Sequence, residues 1–190
     1  MVPADVASPC PLKLLPLLLI AAATFWIGSE LVELLMGGRS AVSLWMTAAF
    51  HQLMVFGIWG AYRARGERRG PLALLATVLV SVGYLVLIYP PVVVALDPGQ
   101  TIEGFMDANP MFTVAGLAAV FGKVLFGISI LRTRIDPAWT GGVLILGPLL
   151  FAGVMLAGGA ASIAIAANVC VSVALLTLGM RALQPPLPGR

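Results

Sequence analysis

Eight residues in this chain combine reactive side chains with apolar surroundings. Glu30 and Glu33 stand three apart in FWIGSELVELLMGG, with Trp26 one turn before them; His51 adjoins Gln52; Tyr84, Lys123 and Asn168 interrupt other long apolar runs. Residues three or four apart share a helix face, so Trp26, Glu30 and Glu33 form one stripe. An acid, a base and an imidazole held together away from water can pass a proton, coordinate a cationic or hydroxylated ligand, or protonate an apolar substrate. Two acids against one fixed base leave one carboxylate without a strong cationic partner. Taking up a proton or charging His51 would settle that imbalance.

The elements that carry these residues are membrane helices. Sixty per cent of the 190 residues are hydrophobic, 10% are charged and the mean hydropathy is +1.03, too little polar surface to cover a soluble core of this size. Six apolar stretches, near 14–37, 41–62, 71–95, 110–131, 138–157 and 160–182, each approach the roughly 20 residues that a bilayer core requires. The fold expected is all-α: a single integral membrane domain over 1–190, built as a bundle of six transmembrane helices. Ser40 is placed to cap the second helix and Gly70-Pro71 to open the third. Asn109-Pro110 and Asp136-Pro137 each set a capping side chain before a proline at the first helical position. Residues 157–161 (AGGAA) form a tight turn, and Gly147-Pro148 should bend the fifth helix. The halves 1–95 and 110–182 would have opposite orientations, as in inverted-repeat transporters, but show no similarity of residues.

Charge sets the orientation. Of 11 Lys and Arg, Lys123 lies inside a span and Arg39 in an outer loop, so nine remain: Lys13, Arg63, Arg65, Arg68, Arg69, Arg132, Arg134, Arg181 and Arg190. All nine fall on one side when both termini are cytoplasmic, the arrangement that the positive-inside rule favours. The arginines of YRARGERRG (62–70) read as a topology signal that can touch anionic lipid. The net charge of +3 forms no basic face with interleaved aromatics, so nucleic acid is not an expected partner. A cleaved signal peptide is not expected either, since the first apolar run is long and continues through the glutamates. Cys10 belongs at the cytoplasmic side and Cys170 in mid-membrane, so no disulfide is expected. Two isolated cysteines and one histidine are too few for a zinc or iron–sulfur site, and neither a metal nor another cofactor is expected.

Depth ranks the candidates. At about 1.5 Å per residue, Glu33 lies roughly 6 Å below the outer end of the first helix and Glu30 one turn deeper. His51 falls near the midplane and Lys123 beyond it. Charges at such depths cost roughly 2.5–3.5 kcal/mol each on insertion scales and face protein or a water-filled cavity. Glu30 is therefore the foremost functional candidate. Glu33 can snorkel to headgroups, Lys123 can form a structural ion pair, His51 can be a packing residue and Asn168 can be helix–helix glue. Trp26, Trp45, Trp59 and Trp139 suit interfacial anchoring. Together these faces are expected to build a polar interior open to the outside through Glu33 and the acidic loop 97–110.

The segment GKVLFGISILRTRIDPAWTGGVLILGPLL (122–150) resembles uncharacterised six- or seven-helix integral membrane proteins of high-GC bacteria, and IGSELVE (27–33) fits the first helix of the same group. That resemblance implies the fold and a bacterial inner-membrane location, and no site. Size and topology are also similar to the substrate-binding subunits of energy-coupling-factor vitamin transporters, which implies a small-molecule ligand and a partner energising module. No phosphate-binding glycine loop is present in this chain. Binding or transport of a small molecule or proton is the leading expectation. A structural or accessory subunit, partnered by another membrane subunit or its own copies among the lipids, comes second. An acid-catalysed enzyme acting on an isoprenoid-like lipid, with Glu30, Glu33, Trp26, Trp45 and Tyr84 around it, comes third.

Overall fold

A computed structural model describes residues 11–66, 70–97, 99–158 and 160–184. Over them the chain forms α1 (Pro11–Met36), α2 (Ala41–Arg63), α3 (Pro71–Leu87), α4 (Tyr89–Leu96), α5 (Ile102–Ala108), α6 (Pro110–Thr133), α7 (Ala138–Leu156) and α8 (Ala161–Leu183). Six units are long and apolar enough to cross a membrane: α1, α2, α3 with α4, α6, α7 and α8. The chain is an all-α bundle of six such spans.

The junctions show how local chemistry divides the chain. Ser40 caps α2 as expected, and more fully: its hydroxyl accepts from the Ser43 N–H while Ser43 Oγ accepts from the Ser40 N–H, a reciprocal box that satisfies two orphan donors. Pro71 and Pro110 open α3 and α6, where a missing N–H costs nothing. Asn109 does precede α6, but its amide donates back to the Phe105 carbonyl (2.9 Å) instead of capping forward. Asp136 does not cap α7, which starts one residue later with Pro137 as its N-cap; the Asp136 carboxylate is taken by Arg65. The third span, expected to be one helix, is broken at Ile88 by Pro90 and Pro91. The acidic loop contains α5, which Thr101 caps at the Gly104 N–H. Helix α7 continues through Pro148.

The spans pack in chain order into a closed ring. Helix α1 lies on α2, α2 on α3 and α4, α3 on α6, α6 on α7 and α7 on α8, and α8 returns to α1. Without a hydrophobic driving force between helices in lipid, close backbone approach must supply the attraction. At the α1–α2 contact, a Cβ on Gly57 or Gly60 would lie 2.6 Å from the backbone of Leu19 or Pro16. Glycine is what lets these helices touch. Hydroxyls add fastenings: Ser29 Oγ bonds to the Ser43 carbonyl (2.9 Å) and Thr47 Oγ1 (2.8 Å), and Ser81 Oγ donates to the Val55 carbonyl (3.0 Å). The wide apolar faces left outside, such as Leu35, Leu85, Val114 and Leu146, are what a lipid-facing surface requires.

Candidate functional site

The ring brings most of the expected residues to its interior. Glu30 on α1 is 7% exposed, Lys123 on α6 6%, Asn168 on α8 7% and Tyr84 on α3 3%. Glu30 Oε1 accepts two hydrogen bonds, from Trp26 Nε1 (3.0 Å) and from Asn168 Nδ2 (2.5 Å). None of the described residues donates to Oε2. Four-residue spacing on one helix makes the Trp26 bond local, whereas Asn168 joins the first span to the last. Both lie roughly 10 Å from the nearer ends of their helices, counted at about 1.5 Å per residue.

Lys123 lies deeper and does not form an ion pair with Glu30. Its ammonium donates to Tyr84 Oη (2.9 Å) and stands 5.0 Å from the Trp26 ring centroid and 5.4 Å from that of Tyr84, within cation–π range. One indole therefore serves both charges, its N–H to the acid and its face to the base. Phe50 completes the group, stacked on Trp26 at 4.2 Å between centroids and edge-on to Tyr84 at 5.0 Å. Phe50 was not singled out in the sequence, where it reads as one more apolar residue beside His51. Trp26 is buried in this core and does not serve as an interfacial anchor.

His51 sits beside this group, 5.1 Å from Tyr84 between ring centroids, and has a different task. Its Nδ1 lies 2.7 Å from the Leu87 carbonyl. In an unbroken helix that carbonyl would accept from residue 91, four positions on, but Pro91 has no N–H. A carbonyl can only accept, so Nδ1 carries the proton and His51 supplies the donor that the proline removed. The break in the third span and the lone histidine form one construction.

Two expected members lie elsewhere. Gln52 is exposed on the outer face of α2, because its one-residue offset from His51 turns it about 100° around the helix. Glu33 shares a face with Glu30 but reaches the surface, 4.0 Å from Arg39 Nε, and Arg39 also pairs with Glu103 (2.5 Å). Trp45 is likewise exposed, at 49%. The Glu30 cluster is packed, and the cavity beneath the acidic loop, lined by residues such as Thr101, Phe105 and Asn109, lies apart from it.

At the opposite end, Arg65 is more than a topology signal. It is 5% exposed, donates to Ser129 Oγ (2.9 Å) and to Asp136 Oδ2 (3.3 Å), and lays its guanidinium over Phe126 at 4.3 Å. Its Nε has no partner among the described residues. Burial pulls the Arg65 pKa below its ordinary value and Asp136 pulls it back up; an arginine remains charged throughout. The sequence signal was Asp136 itself, an acid among the arginines of its own side. Arg68, Arg69, Arg190 and Cys10 lie outside the described residues; Cys170 is exposed on α8. Compared with known proteins, the chain matches no family model, no curated protein and no solved structure.

Proposed function

We propose that this chain is a multi-pass protein of a bacterial cytoplasmic membrane, with both termini inside, that binds a proton or a small cationic or hydroxylated molecule at Glu30 in the service of transport. One observation carries the reading: the two donors to the buried Glu30 carboxylate, Trp26 and Asn168, are both neutral and both meet Oε1, while Lys123 is held on the face of Trp26. Oε2 is left for a proton or an incoming donor. Trp26 relates the occupancy of Glu30 to the position of Lys123, since both contact the same ring. A partner subunit or a second copy would complete a pathway.

The test is infrared difference spectroscopy of the protein in lipid nanodiscs across a pH titration. A protonated-carboxyl carbonyl band is expected in the wild type and absent in Glu30→Gln, with Glu33→Gln retaining it. Glutamine keeps the acceptor oxygen for Trp26 and Asn168, so E30Q should insert and fold. An unchanged band in E30Q would remove Glu30 from the site. A second reading has its own observation: the Asn168–Glu30 bond closes the ring between α1 and α8, as a purely structural fastening would. On that reading no protonation band depends on Glu30, and Asn168→Ala alone lowers stability, by about 0.6 kcal/mol on the average for such bonds in membranes.

A further inference from the structure

The end of the bundle where α2, α6 and α8 finish holds a groove that the proposed function does not use. It is a cavity of about 460 Å³ lined by Ile130, Leu131, Arg134, Asp136 and Ala138. Helices α6 and α7 touch one turn away, where a Cβ on Gly127 would lie 2.6 Å from the Gly141 carbonyl. The groove occupies the space between that contact and the connecting loop.

Its charges are unbalanced in a particular way. Asp136, the one acid on its wall, is already engaged by Arg65 at 3.3 Å. Arg132 and Arg134 are exposed, and Arg134 is held in a left-handed backbone conformation (φ 52°). Arg181 joins them from α8 through its bond to the Ile135 carbonyl (3.4 Å). Among the described residues none of these three has an acid within ion-pair distance. The remaining wall is apolar, and Leu131 (40%) and Trp139 (47%) continue it outward as exposed surface.

We propose that this groove holds the headgroup of one anionic phospholipid, with its phosphate on Arg134 of the wall and the exposed Arg132 beside it, and its glycerol and upper acyl chain along the exposed Leu131 and Trp139. Guanidinium groups match the geometry of phosphate oxygens. Basic pockets between membrane helices take anionic headgroups, and tryptophan suits the headgroup level. A zwitterionic lipid would need an acid for its ammonium, and the acid here is occupied by Arg65. The proposal requires only that the six spans cross a bilayer, and it stands or falls independently of Glu30.

The experiment uses the full chain reconstituted in phosphatidylcholine vesicles containing trace spin-labelled phosphatidylglycerol or spin-labelled phosphatidylcholine, reading the motionally restricted fraction of each. The wild type should select phosphatidylglycerol. R134Q alone should reduce that selectivity roughly fivefold and R132Q/R134Q by about that factor again, from about 1 kcal/mol per arginine near the surface. R63Q removes an exposed charge at the same end and should leave selectivity unchanged. R134K, which keeps the charge on a similar stem, should retain part of it and report a folded groove. No selectivity in the wild type, or an equal loss in R63Q, would overturn the site in favour of diffuse surface charge. Displacement by excess inorganic phosphate would overturn the lipid assignment in favour of a site for the phosphate group alone.

Discussion

Pro91 has no N–H to give to Leu87, and the side chain that makes good the loss comes from another helix. His51 at mid-membrane invites a catalytic interpretation, yet its bond to the Leu87 carbonyl accounts for its type, depth and tautomer together. An experiment separates the two. His51→Ala should destabilise the protein by about 1–3 kcal/mol, the cost of a buried carbonyl left without a donor. Restoring the backbone donor with Pro91→Ala should make the same histidine change cheaper. In a double-mutant cycle read by thermal unfolding in detergent, a coupling of roughly 1 kcal/mol is expected; strict additivity would show that His51 does not serve this carbonyl. Glu30 differs in kind, because its partners are neutral and one oxygen is left over. The same spacing rule that puts Glu33 on the Glu30 face says nothing about how far its side chain reaches, and Glu33 ends half-buried, 4.0 Å from Arg39.

Helices here are joined by absences as much as by side chains. Gly57 and Gly60 bring α2 onto the backbone of α1, near Leu19 and Pro16, and this contact sets the position of Trp26 and Glu30 about two to four turns further along. Gly60→Leu should therefore cost at least the roughly 1–3 kcal/mol of an overpacked core and lower the thermal midpoint. Gly116→Leu is the control, since a Cβ there meets nothing within 4 Å, and it should leave the midpoint unchanged. Equal losses from the two variants would mean that close approach at Gly60 is not what decides. The spans themselves were legible from apolar length, and the Ser40 cap and Pro71 opening from local chemistry. Asn109 and Asp136 do not cap forward because a better partner is available in three dimensions, the Phe105 carbonyl for one and Arg65 for the other. The break at Ile88 was present in the sequence as Pro90-Pro91, but apolar length alone passes over it.

For the whole molecule, the proposed cytoplasmic placement of both termini rests on the positive-inside distribution of the arginines. A green fluorescent protein fused to the C-terminus should fluoresce, and alkaline phosphatase inserted at Gly38 should be active, in a bacterial host; the reverse pattern would overturn the cytoplasmic assignment. Ring closure then does what no single helix can. By returning α8 to α1 it brings Asn168 to Glu30 across 138 positions of chain, and by facing α3 toward α6 it gives Lys123 a tyrosine. Composition and the spacing of apolar runs sufficed to determine the six-span helical class and the short roster of polar residues inside it, because a bilayer penalises every exposed polar group and leaves few alternatives. Which of those residues meet was decided only by tertiary structure. A helix face spans many possible neighbours, and direction, reach and partner depend on packing between segments far apart in the chain. So Glu30, Asn168, Lys123 and Tyr84 turned inward, Gln52 turned away, Glu33 stayed half-buried near Arg39, His51 became a donor to a broken helix, and Arg65 left its exposed neighbours for the core.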